Sequence, residues 1–274
     1  MAQSTRARPT TEHKRTCVFC GVETVTREHI FPFWLREAVG GGGAATHYRS
    51  IPADIPPPIG RQLEYETPWS TDDAEVVVRA VCANCNNTWL NELDHAVEPI
   101  AVPHIRNDVR PISHAERTVL ATWATKIALL LEHTRSVSDL TRRRSLTPPS
   151  AYRELHDMRL PPTFARLWML RVSPPIVGVW WRTGPVPVAW FDPDAARAIG
   201  APNGSLTTFV AGMLGFQFLY APNSDPYQDL VQRRSERGAE FMRLLWPPTE
   251  PFEWPPAAAL RQDTLEVVAH LRFA

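Results

Sequence analysis

Lysine is almost missing from this 274-residue chain: Lys14 and Lys126 are the only two, the other basic residues being arginine, and the basic and acidic side chains cancel at 29 each. The absence of net positive charge weighs against a generic charge-driven nucleic-acid binder, because phosphate neutralisation by Lys and Arg supplies most non-specific affinity. Local clusters remain at 6–15, at Arg142-Arg143-Arg144 and at Arg233-Arg234. They read either as solvated loop and helix faces or as phosphate contacts. Long apolar runs are missing too: none approaches the roughly eighteen residues of a membrane helix, and the N-terminal Met-Ala-Gln-Ser-Thr-Arg-Ala-Arg-Pro lacks the apolar core of a secretory signal. A cytoplasmic protein with no membrane association is the expectation. Cysteine is scarce, with four in all and none left over from two close pairs; that suits a reducing compartment better than a disulfide framework. No 20–50-residue period recurs, which excludes a repeat architecture.

What is present is organised by those pairs, Cys17-Val18-Phe19-Cys20 and Cys82-Ala83-Asn84-Cys85. A two-residue gap lets both thiolates of one tight turn reach a single ion at about 2.3 Å, and two such turns complete a tetrahedral structural Zn²⁺ site. Four thiolates leave no open position for water or substrate, so chemistry has to be sought nearby. The nearby candidate is Glu28-His29, followed by Ile30-Phe31-Pro32. A carboxylate followed at once by an imidazole offers a metal ligand and a general base on adjacent residues.

Cys-x-x-Cys, then Glu-His-Ile-x-Pro with Trp34 close behind, then Cys82-Ala83-Asn84-Cys85-Asn86-Asn87-Thr88-Trp89, resembles the HNH endonucleases, in particular the zinc-stapled branch of the ββα-metal, treble-clef-like nucleases. The resemblance covers residues 14–99. It implies that His29 is the general base, that Glu28 and Asn86 hold a catalytic Mg²⁺ or another divalent cation, and that Cys17, Cys20, Cys82 and Cys85 bind a structural Zn²⁺. It implies a metal-dependent endonuclease that hydrolyses phosphodiester bonds in nucleic acid, with DNA ranked ahead of RNA as partner. The chain departs from the pattern at Val77, which stands where the middle Asn of the HNH signature is expected, and at Glu28, one methylene longer than Asp. Asp94 follows in a Trp-x-x-x-Leu-acid segment typical of this branch. Each residue also has a plainer reading. Glu28 would be a surface carboxylate paired with Arg27 or Arg36, His29 a histidine bonded to the zinc turn, and Asn86 a helix cap. The alternative function is a decayed zinc module that recognises nucleic acid or protein without cutting it.

The fold class read from the pattern is α+β. Residues 1–13 read as a disordered arm and 14–103 as the zinc module, with a long insertion at 40–73. The remaining 104–274 read as a C-terminal α+β domain that supplies substrate selection or homo-oligomer contacts. Within the module the spacing predicts a strand over 22–30, a short helix over 33–38 ended by the glycine run at 40–43, and a β-branched strand over 75–81. A helix capped by Asn86 or Asn87 is expected to bury Trp89, Leu93, Val97 and Ile100 before Pro99 and Pro103 close it, with Asp94 on a more polar side. Ser113-His114-Ala115-Glu116 is a capping box opening a long amphipathic helix to about His133. A shorter helix is expected over 151–158, then an antiparallel sheet from runs at 165–172, 176–182, 186–191, 206–220 and 239–246, and a last helix over 262–273. Trp34, Trp89 and Trp123 are expected in the core. His95, His104, His114 and His133 are expected at the surface or in caps.

Overall fold

Described in this computed structural model are residues 15–22, 24–40, 44–49, 69–72, 76–134, 146–186, 204–221, 235–236 and 238–269. The expected N-terminal arm, the arginine clusters at 142–144 and 233–234, the run at 187–191 and most of the 40–73 insertion lie outside the described residues.

The first cysteine turn leads into strand β1 (Thr26–His29), and Pro32 caps helix α1 (Phe33–Ala38), which buries Leu35 and Ala38. Strands β2 (Ala44–Arg49) and β3 (Trp69–Asp72) pair antiparallel, and β2 also pairs in parallel with β5 (Ala165–Val186) through Tyr48 and Arg49. The insertion thus contributes two strands to the larger sheet. Strand β4 (Val77–Val81) pairs antiparallel with β1, with an irregular register between Thr26 and Glu28.

The helix after β4 starts earlier than expected. α2 (Ala83–Cys85) opens on Cys82, whose sulfur accepts the Cys85 N–H at 3.5 Å, so neither Asn86 nor Asn87 is the cap. A wide π turn over Asn86–Leu90 follows, with Thr88 at φ −109°, ψ −105°, before α3 (Asn91–Ile105). The extra residue in that turn rotates the rest of the helix by about 100° relative to an unbroken α wheel. Val97 and Ile100 reach the core, and Asp94, about 60° from Val97 on the same helix, faces a neighbouring helix instead of the polar side. Pro99 and Pro103 do not end the helix. Each removes one backbone N–H, and the burial of Val97, Ile100, Ala101, His104 and Ile105 offsets that loss.

Helix α4 (His114–Leu131) begins with the expected capping box, Ser113 Oγ accepting from Glu116 N–H and Glu116 Oε2 from Ser113 N–H. It is buried almost all round after its first turn. Just past its end, buried Glu132 accepts from Thr147 N–H (3.0 Å) and Oγ1 (2.7 Å) and from the hydroxyl of Tyr152 on α5 (Pro149–Met158). The expected runs at 165–172 and 176–182 are one long bent strand, β5. Its ladder to β6 (Gly204–Tyr220) breaks register between Arg171 and Val179, where the exposed Pro174 and Pro175 could not have donated to a ladder. Strand β7 (Met242–Trp246) pairs with β5, and α6 (Gln262–Ala269) closes the described chain.

The mixed helix and strand content is α+β, with mostly antiparallel sheets. One continuous group of buried side chains runs from Cys17 and Phe19 through Leu90, Ala101, Leu120 and Trp123 to Phe209 and Phe216. A second group, with Trp168, Leu170, Val210 and Leu219, lies with Leu265 and Val268 of α6. Strand β6 is buried on both faces between them, which explains its nearly unbroken apolar run. Gly212, at φ +58°, lets β6 pass the end of α3: a Cβ there would stand 2.6 Å from the carbonyl oxygen of Ile105.

Candidate metal centre

Two turns separated by about sixty residues converge because backbone hydrogen bonds hold them together. Gly21, at φ +77°, donates to the Cys17 carbonyl, Cys17 N–H donates to Val22, and Val18 N–H reaches the Ala80 carbonyl of β4. The second turn is the β4–α2 junction itself. The ligand atoms of Cys17, Cys20, Cys82 and Cys85 lie within 4.8 Å of one another, with Cys20 and Cys82 sulfurs at 3.5 Å. Tetrahedral Zn²⁺ with bonds of about 2.3 Å needs sulfurs about 3.8 Å apart, whereas a disulfide needs about 2 Å. The four cysteines are free and could hold one metal ion. Burial raises the thiols of Cys20 and Cys85; at Cys82 burial acts the same way, but the Cys85 N–H and the neighbouring sulfurs outweigh it and the thiol is lowered. A soft donor set of this kind fits a structural zinc.

The neighbouring pair Glu28 and His29 is divided by the strand that carries it. Alternate residues of β1 point to opposite faces, so Glu28 is buried while His29 is exposed. Across the ladder His29 stands opposite Val77, an apolar neighbour where the HNH pattern would put an amide. Neither Arg27 nor Arg36 is the partner of Glu28. Its carboxylate lies 3.7 Å from the Nζ of Lys126, which is wholly buried in α4. Lys126 donates to both oxygens of Asp94, at 2.9 and 2.7 Å, and the Trp123 indole N–H adds a third bond to Asp94 Oδ1 at 3.0 Å. Trp34 Nε1 donates to the Asp94 carbonyl and its ring lies 5.8 Å from that of Trp123.

Two carboxylates therefore share one ammonium in the interior. Asp94 takes its hydrogen bonds. Burial, reinforced by the charge of Asp94 and only partly opposed by Lys126, pushes the Glu28 carboxyl up to about 7. Asn86 is partly exposed in the π turn, and its N–H goes to the Cys82 carbonyl. Among the described residues the four cysteines are the only group of three or more His, Cys, Asp or Glu whose ligand atoms cluster, so Glu28, His29 and Asp94 do not assemble as a trio.

The sequence reading missed Lys126. The available signal was a lysine in the middle of the most apolar helix of a chain with only two. It also missed His104, which is buried and accepts from Trp254 Nε1 at 3.2 Å, burial lowering its pKa to about 4. His114 and His133 contact Arg117 and Tyr152. Trp89 and Trp123 are in the core and Trp34 packs against it. No described helix is long and apolar enough to cross a membrane. Comparison with models of protein families, with curated proteins and with solved structures returns no match.

Proposed function

We propose that this chain is a zinc-stapled nuclease of the HNH type that acts on nucleic acid, DNA ahead of RNA, with His29 as the general base. The observation that carries the reading is the exposed imidazole of His29 at the end of β1, on the strand pair that the four-cysteine cluster ties to the following helix. Zinc in a shell of four thiolates holds backbone and takes no part in the reaction. His29, open to solvent, takes a proton from an attacking water. A divalent ion at Glu28 and Asn86 would relieve charge on the phosphate and the leaving oxygen. The placement of Glu28, buried against Lys126, does not fit that task.

That same observation favours a second reading, recognition without cleavage. The experiment that separates them incubates the purified protein with plasmid, single-stranded DNA and RNA in Mg²⁺, alongside His29→Ala and Glu28→Ala. The nuclease reading expects cleavage that His29→Ala abolishes. Cleavage that persists unchanged in His29→Ala removes the reading, and a mobility shift without any cut product establishes the second.

A further inference from the structure

Trp89 stands where the cysteine cluster meets the rest of the protein. It follows Cys85 by one wide turn of the same helix and is buried. Phe19, the residue between Cys17 and Cys20, meets its ring edge-on at 5.1 Å. The Arg159 guanidinium, just beyond α5, lies over the ring at 4.3 Å, and His156 of α5 approaches edge-on at 5.9 Å. Phe19 also packs against Tyr152 of α5, at 6.0 Å. One indole is thus in contact with the first cysteine turn and with the helix that follows α4.

Its Nε1–H, however, is buried with no hydrogen-bond partner among the described residues. A buried donor left unsatisfied costs about 1–3 kcal/mol, and native proteins rarely tolerate one without a reason. The cysteine nearest to it along the chain is Cys85, four residues earlier on the same helical turn, a spacing that puts two side chains on one face. A neutral thiol is a poor acceptor, whereas a metal-bound thiolate carries the negative charge that makes a hydrogen bond to sulfur strong.

We infer that Trp89 donates its indole N–H to the Cys85 thiolate of the metal-loaded centre, making it a positioning residue that fixes the fourth ligand and links the centre to Arg159 and α5. The inference rests on the cysteines holding Zn²⁺ and is independent of whether His29 cleaves anything. Partners of this kind around metal ligands are worth about 10–100-fold in metal affinity. In wild-type full-length protein loaded with ¹¹³Cd²⁺, the indole proton of Trp89 is expected to show a scalar coupling to cadmium through the N–H···S bond. In Trp89→Phe, which keeps an aromatic ring and loses only the donor side of the indole, zinc transfer to a chromophoric chelator is expected to be about 10–100-fold faster. Absence of the coupling in the wild type overturns the assignment even if the variant fails to fold. A folded Trp89→Phe that releases zinc at the wild-type rate overturns it as well.

Discussion

Replacing Glu28 with glutamine tests the most unusual electrostatic feature of the molecule, a buried and a partly buried carboxylate set against one ammonium. Asp94 accepts both hydrogen bonds from Lys126 together with the Trp123 indole, and Glu28 stands 3.7 Å off. The Glu28 carboxyl is raised from 4.5 to about 7 by burial, with Asp94 adding to the effect. Below pH 4.5 the acid is protonated in the folded and the unfolded chain alike, and it contributes no pH dependence. Between 4.5 and 7 the unfolded chain releases this proton while the folded chain keeps it, so stability falls as pH rises. Above 7 both are ionised and the loss is complete. At about 1.36 kcal/mol per pKa unit it amounts to about 3 kcal/mol. The glutamine amide resembles the protonated acid in shape and cannot ionise. Urea unfolding of zinc-saturated wild type and Glu28→Gln, followed by circular dichroism from about pH 4.5 to 8.5, isolates the effect, because the pH dependence of zinc binding is common to both. The variant is expected to match the wild type near pH 4.5 and to exceed it by about 3 kcal/mol at about pH 8. A difference that stays constant across the series refutes the reasoning.

Two further substitutions probe the same core. Lys126→Met leaves the partly buried Asp94 without its cation and should cost about 3 kcal/mol in chemical denaturation, with much of the loss recovered when Asp94→Asn is added; equal stability of the single and double variants would count against the pairing. Gly212→Ala forces a methyl onto the Ile105 carbonyl at a positive φ, with an expected loss of about 1–3 kcal/mol in thermal or urea unfolding, and an unchanged midpoint would show that β6 has room to shift there.

The local signals in the sequence were strong where one interaction decided the outcome. Cys17, Cys20, Cys82 and Cys85 cluster as their spacing implied, because two short turns leave few other ways for four thiols to be used. The capping box at Ser113 set the start of α4, and the glycine run after Val39 marked the end of α1. Long-range packing was not legible. Nothing local announces that Asp94 meets Lys126, since on the wheel it lies midway between Val97 and Asn91 and only the packing of α4 against α3 decides which side it joins. The burial of Glu28 was equally hidden: its neighbour in sequence is exposed, and its partner is almost a hundred residues away. Pro174 and Pro175 suggested a break between strands, and the chain instead passes them as an irregularity within one strand.

The pairing of β2 with β5 bears on how this protein can be divided. A chain cut after residue 103 would carry away the neighbour that covers β5 at Arg182 and Thr183. It would uncover backbone donors and acceptors on a flank of the sheet that Tyr48 and Arg49 otherwise shield, the kind of open flank that templates aggregation. The cysteine-bearing half would in turn lose α4 and β6, whose buried side chains share one interior with Trp89, Leu90 and Ala101. The two halves are therefore stitched through each other, and neither is expected to stay soluble once separated from its counterpart.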